Sequence, residues 1–476
     1  MADLDLRSAG ARAGPLSGAD LVVVGAGWAG LSTAVRAVRA GLRVHLLESA
    51  PSAGGRAREA RLDFGAGTVV VDAGQHLLMG AYRECLELAS IVRDASGTEA
   101  FERAALSLRD TAGLRLVVAP HRAPWHLLTA LWSARGLSVR ERWAATRFVA
   151  LLRAAGWRTA PRETVAELFA RHAQPHALVE RLWAPLCIGA MNTLPEEACA
   201  GAYAAVLRDT LGSEREASDF VLARTTLDDA IARPAVDWLR AHGAAVSFGA
   251  NVRSLHAVGG RWRIETAAFA LDAAQVVVAT PAPVAARLLG PLDARAAALA
   301  RFSHEPIATV HLAWPRDVPL PLPRWILLHD DGKRAWGQWL FDRGCIGAHR
   351  VGSVVVSVCS RFAEHSRETI GEAIAHQVAR QLELPLPCAH RTIVEKRATL
   401  RCTPQRPRIS CDAFADTLPG LWLAGDYVDD EYPATLETAV RSGRRAAALA
   451  CAAMRDTAAP AKRFLRSAQP QAASSA

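Results

Sequence analysis

The stretch VVVGAGWAGL, residues 22–31, decides how this chain is read. Four apolar residues, Leu21, Val22, Val23 and Val24, run into Gly25, Gly27 and Gly30, and an Ala/Leu/Val pattern of helical period follows to Ala40. That order predicts strand, tight turn and helix. Gly25 lets the chain turn sharply, Gly27 leaves room for a pyrophosphate, and Gly30 lets helix and strand pack closely, with the helix N-terminus aimed at the phosphates. A second strand over residues 43–47 ends at Glu48, an acid placed to take a ribose hydroxyl pair. The unit therefore predicts a dinucleotide with an unphosphorylated adenosine ribose. NAD and FAD are both open at this step.

Two further segments bear on that choice. Gly54-Gly55-Arg56 supplies a second close backbone approach and an arginine able to face phosphate or flavin. Near the other end, LAGDYVDDEYPATLETAVRSG (residues 423–443) continues a buried strand over residues 421–424, turns at Gly425-Asp426 and enters a closing helix over 434–448. Asp426 is suited to accept hydrogen bonds from a polyol such as ribityl. Ala434 and Thr435 open the closing helix, whose free amides and dipole can face the pyrimidine end of a flavin.

In that order, the fingerprint followed by GGR resembles the signature of the flavin amine oxidase and carotenoid desaturase superfamily, which implies FAD. DAGQH (72–76), WAPLCIGAMNT (183–193), AGDY (424–427), PATLE (433–437) and RSG (441–443) together resemble the hydroxysqualene dehydroxylases, a family first described as squalene-associated FAD-dependent desaturases. The resemblance spans about residues 21–450. It implies an α/β fold: a Rossmann-type FAD-binding domain, glutathione-reductase-like and of the amine oxidase type, with a discontinuous α+β substrate domain. The implied reaction is reductive dehydroxylation of hydroxysqualene to squalene in bacterial squalene and hopanoid biosynthesis, with hydride passing from reduced flavin N5 to an allylic carbon. Gly25, Gly27, Trp28, Ala29, Gly30, Glu48, Gly54, Gly55, Arg56, Gly425, Asp426, Ala434 and Thr435 are the expected cofactor contacts, and the Val252 backbone is expected to meet the adenine. His76 is the first candidate acid for the leaving hydroxyl, Asp72 the second, and Tyr427 with Asp429 or Asp430 a reserve set. Cys187, Gly189 and Asn192 are expected to line the substrate pocket on a loop shaped by Pro185 and Gly189, with Cys187 as a packed small residue and no nucleophile.

The alternatives are a flavin amine oxidase and a carotenoid-type isoprenoid desaturase, which share these motifs. The direction of hydride transfer is left open, because a site that stabilises a transition state one way stabilises it the other way too. Neither Cys402 nor Cys411 has the setting of a covalent-flavin cysteine, and Lys396 alone is positioned for an amine oxidase lysine. A disulfide reductase would need a redox cysteine pair and a second fingerprint, and Gly65-Ala66-Gly67 lacks the third glycine. The donor that reduces the flavin is unassigned, between NADPH and a carrier protein.

Composition narrows the class. The net charge of +9 rests almost wholly on arginine, with lysine only at Lys333, Lys396 and Lys462, and no basic stretch interleaves with stacking aromatics, so no nucleic-acid partner is expected. Nine scattered cysteines without a CxxC pair fit a reducing compartment and no metal site. The first twenty residues hold no apolar signal core, and no run of about eighteen apolar residues is found, so a cytoplasmic protein is expected, with the inner membrane as a peripheral surface. Trp125, Leu127, Leu128, Leu131 and Trp132, edged by His121, Arg122, Arg135, Arg140 and Arg142, suit either packing inside a helical domain or a patch lying in one leaflet beside the entrance for a lipophilic isoprenoid.

The chain divides into a flexible arm (1–19), a discontinuous cofactor domain (20–80, 212–289 and 411–453), a substrate domain (81–211 and 290–410) and a flexible tail (454–476). Residues 82–211 read as largely helical. Strands are expected over 245–248, 252–255, 261–266 and 275–279, then over 309–314, 324–328, 337–341 and 353–358, the last four forming a substrate-domain sheet.

Overall fold

The computed structural model describes residues 18–65, 67–93, 99–319, 324–428 and 431–467, of which 456–467 are described as helix backbone alone. The expected arm therefore lies almost wholly outside the described residues, as do Asp429 and Asp430.

Leu21, Val22 and Val23 are fully buried because their strand, Ala19–Val24, is central and covered on both faces. It pairs in parallel with Val44–Leu47 on one side and Ala270–Val278 on the other. Ala245–Ser247 adds beyond Val44–Leu47, and Leu421–Leu423 beyond the C-terminal half of Ala270–Val278, both in parallel. The hairpin of Val252–Val258 and Arg261–Thr266 joins the N-terminal half of Ala270–Val278 antiparallel. The strand Leu421–Leu423 thus comes from the far end of the chain and closes the same seven-stranded sheet that residue 19 opens. One face is covered by the helices Trp28–Arg39, Arg83–Val92, Arg233–Ala241 and Leu436–Ser467. The hairpin and Ala282–Leu289 cover the other.

A five-stranded antiparallel sheet lies in the order Trp325–Leu327, Trp339–Ile346, His349–Val356, His304–Pro315, Ala389–Leu400. Arg367–Leu382 packs on it through Ile370, Ile374 and Val378. Its first four strands overlap the expected runs, with ends that differ by up to five residues. Ala389–Leu400 escapes the sequence reading because it is half-buried along its length and rich in charge.

Two expectations are refined. Within residues 82–211, largely helical as expected, Phe101–Ala104, Ser107–Arg109 and Arg115–Val117 are short strands, each mixing apolar with charged residues. The closing helix, expected over 434–448, runs from Leu436 to Ser467, in keeping with the high helix propensity of its alanine-rich sequence.

Candidate functional site

The glycine loop is fixed by close approach at two positions and open at a third. A Cβ at Gly25, whose φ is +105°, would lie 2.6 Å from the Ala279 carbonyl oxygen, and one at Gly30 would lie 1.8 Å from the Gly25 carbonyl oxygen. Those glycines serve backbone packing. At Gly27 nothing lies within 4 Å of the Cβ position, so the loop keeps a free face at the N-terminus of Trp28–Arg39. Gly55 walls that face from one side: its φ is +64°, and a Cβ there would sit 3.2 Å from the Gly27 Cα. Gly54 is held by its N–H donating to the Ala26 carbonyl at 3.0 Å. Loops 25–30 and 54–56 therefore form one backbone cradle.

Glu48 is tied into the same cradle. Its Oε2 accepts the Ala26 N–H at 2.6 Å and its Oε1 the Ala50 N–H at 2.8 Å, which fixes the carboxylate at the end of the second strand beside the glycines. Val252 packs with Val22, Val24 and Leu47 on that side of the sheet, and its carbonyl accepts from Arg287 at 3.3 Å.

The C-terminal segment meets this cradle through charge and close helix packing. The Arg56 guanidinium pairs with Asp426 at 2.6 Å and donates to the Ala398 carbonyl at 2.9 Å. A Cβ at Gly443 would come 2.3 Å from the Ala29 carbonyl oxygen, so Leu436–Ser467 lies directly on Trp28–Arg39. The Ser32 and Thr33 hydroxyls donate across that contact to the carbonyls of Val440 and Gly443 at 2.8 and 3.2 Å. Gly425 donates its N–H to the Ser442 hydroxyl at 2.8 Å. Asp426, Tyr427 and Ala434 line a small pocket with Phe302 and Leu400. Thr435 caps the closing helix by accepting the Thr438 N–H at 3.2 Å. Glu437 faces elsewhere: fully buried, it accepts the N–H groups of Glu84 and Cys85 at 3.2 and 3.1 Å and pairs with Arg441 at 3.0 Å.

These residues fit a bound FAD. The cradle has open backbone where a pyrophosphate needs it, an anchored carboxylate for a ribose, and buried polar atoms without protein partners at Trp28 Nε1 and the Tyr427 hydroxyl. A cleft of about 620 Å³ between Thr159–Glu163 and Arg406–Arg408 is larger than the pocket at Asp426, yet it holds none of the expected site residues. Chemistry favours the cradle.

Residues 72–76 leave the strand Thr68–Asp72 and run onto the five-stranded sheet, where the Gln75 N–H donates to the Thr309 hydroxyl at 3.4 Å. His76 is half-buried with an unpartnered Nδ1, and burial, opposed by a hydrogen bond with the Gly74 backbone and aided by the nearby Arg56 charge, lowers its pKa below the usual histidine value. Asp72 is buried and accepts the Leu227 N–H at 2.8 Å. Burial raises its carboxyl to about 6, against the opposing pull of that hydrogen bond and of Arg343. Polar residues that sequence reasoning missed crowd the same region. His304 feels the charges of Arg56 and Asp426, and burial lowers its pKa. His311 is fully buried with Nδ1 on the Ser353 hydroxyl at 2.9 Å and Nε2 unpartnered, and burial takes it down to about 3. The signal was available in His304–Pro315, where Thr309 and His311 sit two apart in the otherwise apolar run 306–315, on the face opposite Val310 and Leu312.

The block at 183–193 departs from expectation. It forms a helix, Ala184–Met191, and not a pocket loop, since Pro185 sits in the first turn where proline is tolerated. Cys187 is fully buried among Phe148, Trp183 and Tyr203, its thiol pushed well up by burial, so it packs and does not line an open cavity. Asn192 ends the helix at φ +46° and ties two strands to the segment that follows a third. Its side chain accepts the Val358 N–H at 2.6 Å and donates to the Thr399 hydroxyl at 2.9 Å and the Glu305 carbonyl at 3.2 Å. Gly189 alone of the three is exposed, with Trp339 Nε1 3.3 Å from its Cβ position.

Residues 28–451 match the family model described as flavin containing amine oxidoreductase. Over 447 residues the chain is 31% identical to a hydroxysqualene dehydroxylase of Rhodopseudomonas palustris, covering 91% of this chain and 98% of that one. A hydroxysqualene dehydroxylase of Sinorhizobium fredii is 29% identical over 444 residues, covering 90% and 97%. Among solved structures, cyclohexylamine oxidase from Brevibacterium oxydans superposes with a TM-score of 0.65 at 16% identity, covering 92% of this chain and all of that one, a likeness of fold alone.

Proposed function

We infer the function from one premise: this chain belongs to the flavin-containing amine oxidoreductase family, and within it to the hydroxysqualene dehydroxylases. It is an FAD-dependent oxidoreductase that removes the hydroxyl of hydroxysqualene to give squalene. The observation that best supports this reading is the convergence of the family's three separated segments on one cradle, with Arg56 bound to Asp426 and the 72–76 loop running past them. Bound reduced FAD supplies the hydride.

The protein's own part is to hold the cofactor and exclude water. The open backbone at Gly27, the helix N-terminus at Trp28 and Ala29 and the walls at Gly54 and Gly55 would receive the pyrophosphate in a loop that Gly25 and Gly30 close, with Glu48 taking the ribose, Val252 the adenine, and Asp426, Ala434 and Thr435 the flavin end. His76 is the group offered to the leaving hydroxyl. Its neutral form prevails near neutral pH because burial opposes protonation, so turnover that depends on imidazolium rises as pH falls below about 6.5. Asp72 is a positioning residue through Leu227. The substrate is apolar and comes from a lipid phase, although no helix among the described residues is long and apolar enough to cross a membrane.

The test is anaerobic turnover. The purified chain is expected to carry yellow FAD and, once reduced, to convert hydroxysqualene to squalene. Bound flavin without squalene, together with oxygen-dependent turnover of an amine, would reassign the chain to the oxidases. His76→Ala is expected to keep FAD and to lose both turnover and its acid-side pH dependence. Full turnover with an unchanged profile removes His76 from the chemistry.

A further inference from the structure

The sequence left two uses open for the tryptophan-rich segment at 125–132, and the structure divides its residues between them. The helices Trp125–Ser133 and Val139–Ala154 bury His126, Ala130, Ala145, Phe148 and Leu152, with Leu127 and Leu131 packed against the same core. Their opposite faces stand in water. Trp125 is 64% exposed, Val139 and Trp143 60%, and Trp132 36%, with Leu151 two turns farther on. The Trp132 and Trp143 rings meet edge-on at 5.1 Å, so the two helices present one continuous aromatic ridge.

The charge along these two helices is almost all of one sign. Residues 121–154 contain six arginines and a single acid, Glu141. That carboxylate is engaged in a capping box, accepting from the Ser138 N–H at 2.6 Å and its hydroxyl at 2.8 Å. Arg122, Arg135, Arg140 and Arg147 are exposed. Soluble surfaces seldom expose several large aromatic side chains side by side, and indole with flanking guanidinium suits the boundary between lipid headgroups and acyl chains.

We propose that this ridge is a membrane-docking surface for an anionic leaflet, with Trp125, Trp132 and Trp143 entering the headgroup boundary and the four arginines meeting lipid phosphates. A second copy of the chain is a poorer occupant, because a two-fold contact through the ridge would set one arginine rim against the other. The inference deepens the proposed function and rests on it for its purpose, since a hydrocarbon alcohol is drawn from a bilayer. The surface itself is read from exposure and charge.

The test is co-sedimentation of the full chain with vesicles of phosphatidylcholine alone or mixed with phosphatidylglycerol. Wild type is expected to bind the mixed vesicles and to be released by salt. Trp125→Ser with Trp143→Ser should weaken binding about tenfold or more. Arg140→Gln should weaken it about fivefold on the anionic vesicles only. Unaltered thermal melting and FAD content establish that these exposed variants fold. No binding by wild type at low salt, or equal binding by the double variant, overturns the proposal. So does a wild-type dimer that the double variant dissolves. Turnover of hydroxysqualene presented in detergent is followed in parallel. Its absence from wild type defeats the functional reading and leaves the vesicle result standing, whereas turnover without vesicle binding defeats only the docking surface.

Discussion

The glycine loop at 25–30 and the helix Ala184–Met191 are both small-residue segments, and they use their small side chains in opposite ways. In the loop, Gly25 and Gly30 are spent on backbone contact so that Gly27 can stay open. In the helix, Cys187 is sealed in a core, and the following Asn192 gives its side chain to two neighbouring strands and the Val358 backbone. A segment that distinguishes a family therefore need not touch the substrate. It can instead hold together segments of one domain that are distant in the chain.

Five variants sharpen or break this contrast. Gly30→Ala drives a Cβ into the Gly25 carbonyl and should cost about 4 kcal/mol or more, so that little folded protein is recovered. Its neighbour Gly27→Ala meets nothing, and should leave apo-protein melting unchanged while weakening FAD at least about tenfold by fluorescence titration. Equal effects at the two positions would break the distinction between packing and ligand glycines.

Asn192→Ala strands the buried Val358 N–H and puts alanine at φ +46°, for a loss of roughly 2–3 kcal/mol in urea unfolding. The KM for hydroxysqualene in the FAD-loaded enzyme should not move. A raised KM with unchanged stability would restore Asn192 to the pocket.

Asp72→Asn tests the buried carboxyl. Its folded pKa of about 6 stands above the unfolded value, so its contribution to stability is full below about 4 and lost as pH rises through 6. The amide variant should consequently gain on wild type by about 2 kcal/mol between pH 4 and 7. A flat difference across that window would show that the carboxyl is not desolvated. Cys187→Ala, the smallest change, should cost about 1 kcal/mol and leave kcat alone.

How much was legible in the sequence follows from the range of the forces involved. The cradle was readable because each part is local: strand, turn and helix are contiguous, Glu48 closes the next strand, and Gly54-Gly55-Arg56 follows within eight residues. The block at 183–193 was misread as a loop because proline and glycine are ambiguous without their place in the helix. His304, His311 and Arg343 went unnoticed because their importance lies in what surrounds them, and those partners are distant in sequence.

By itself the sequence determined the dinucleotide unit, its FAD preference through resemblance, and most strands of both sheets, since period and turn chemistry act over a few residues. Only the tertiary structure decided that Arg56 meets Asp426 across 370 positions, that Asn192 ties segments distant in the chain together, and which tryptophans face water. Burial and pairing belong to the packed chain, and a side chain's desolvation is fixed only when distant elements close around it.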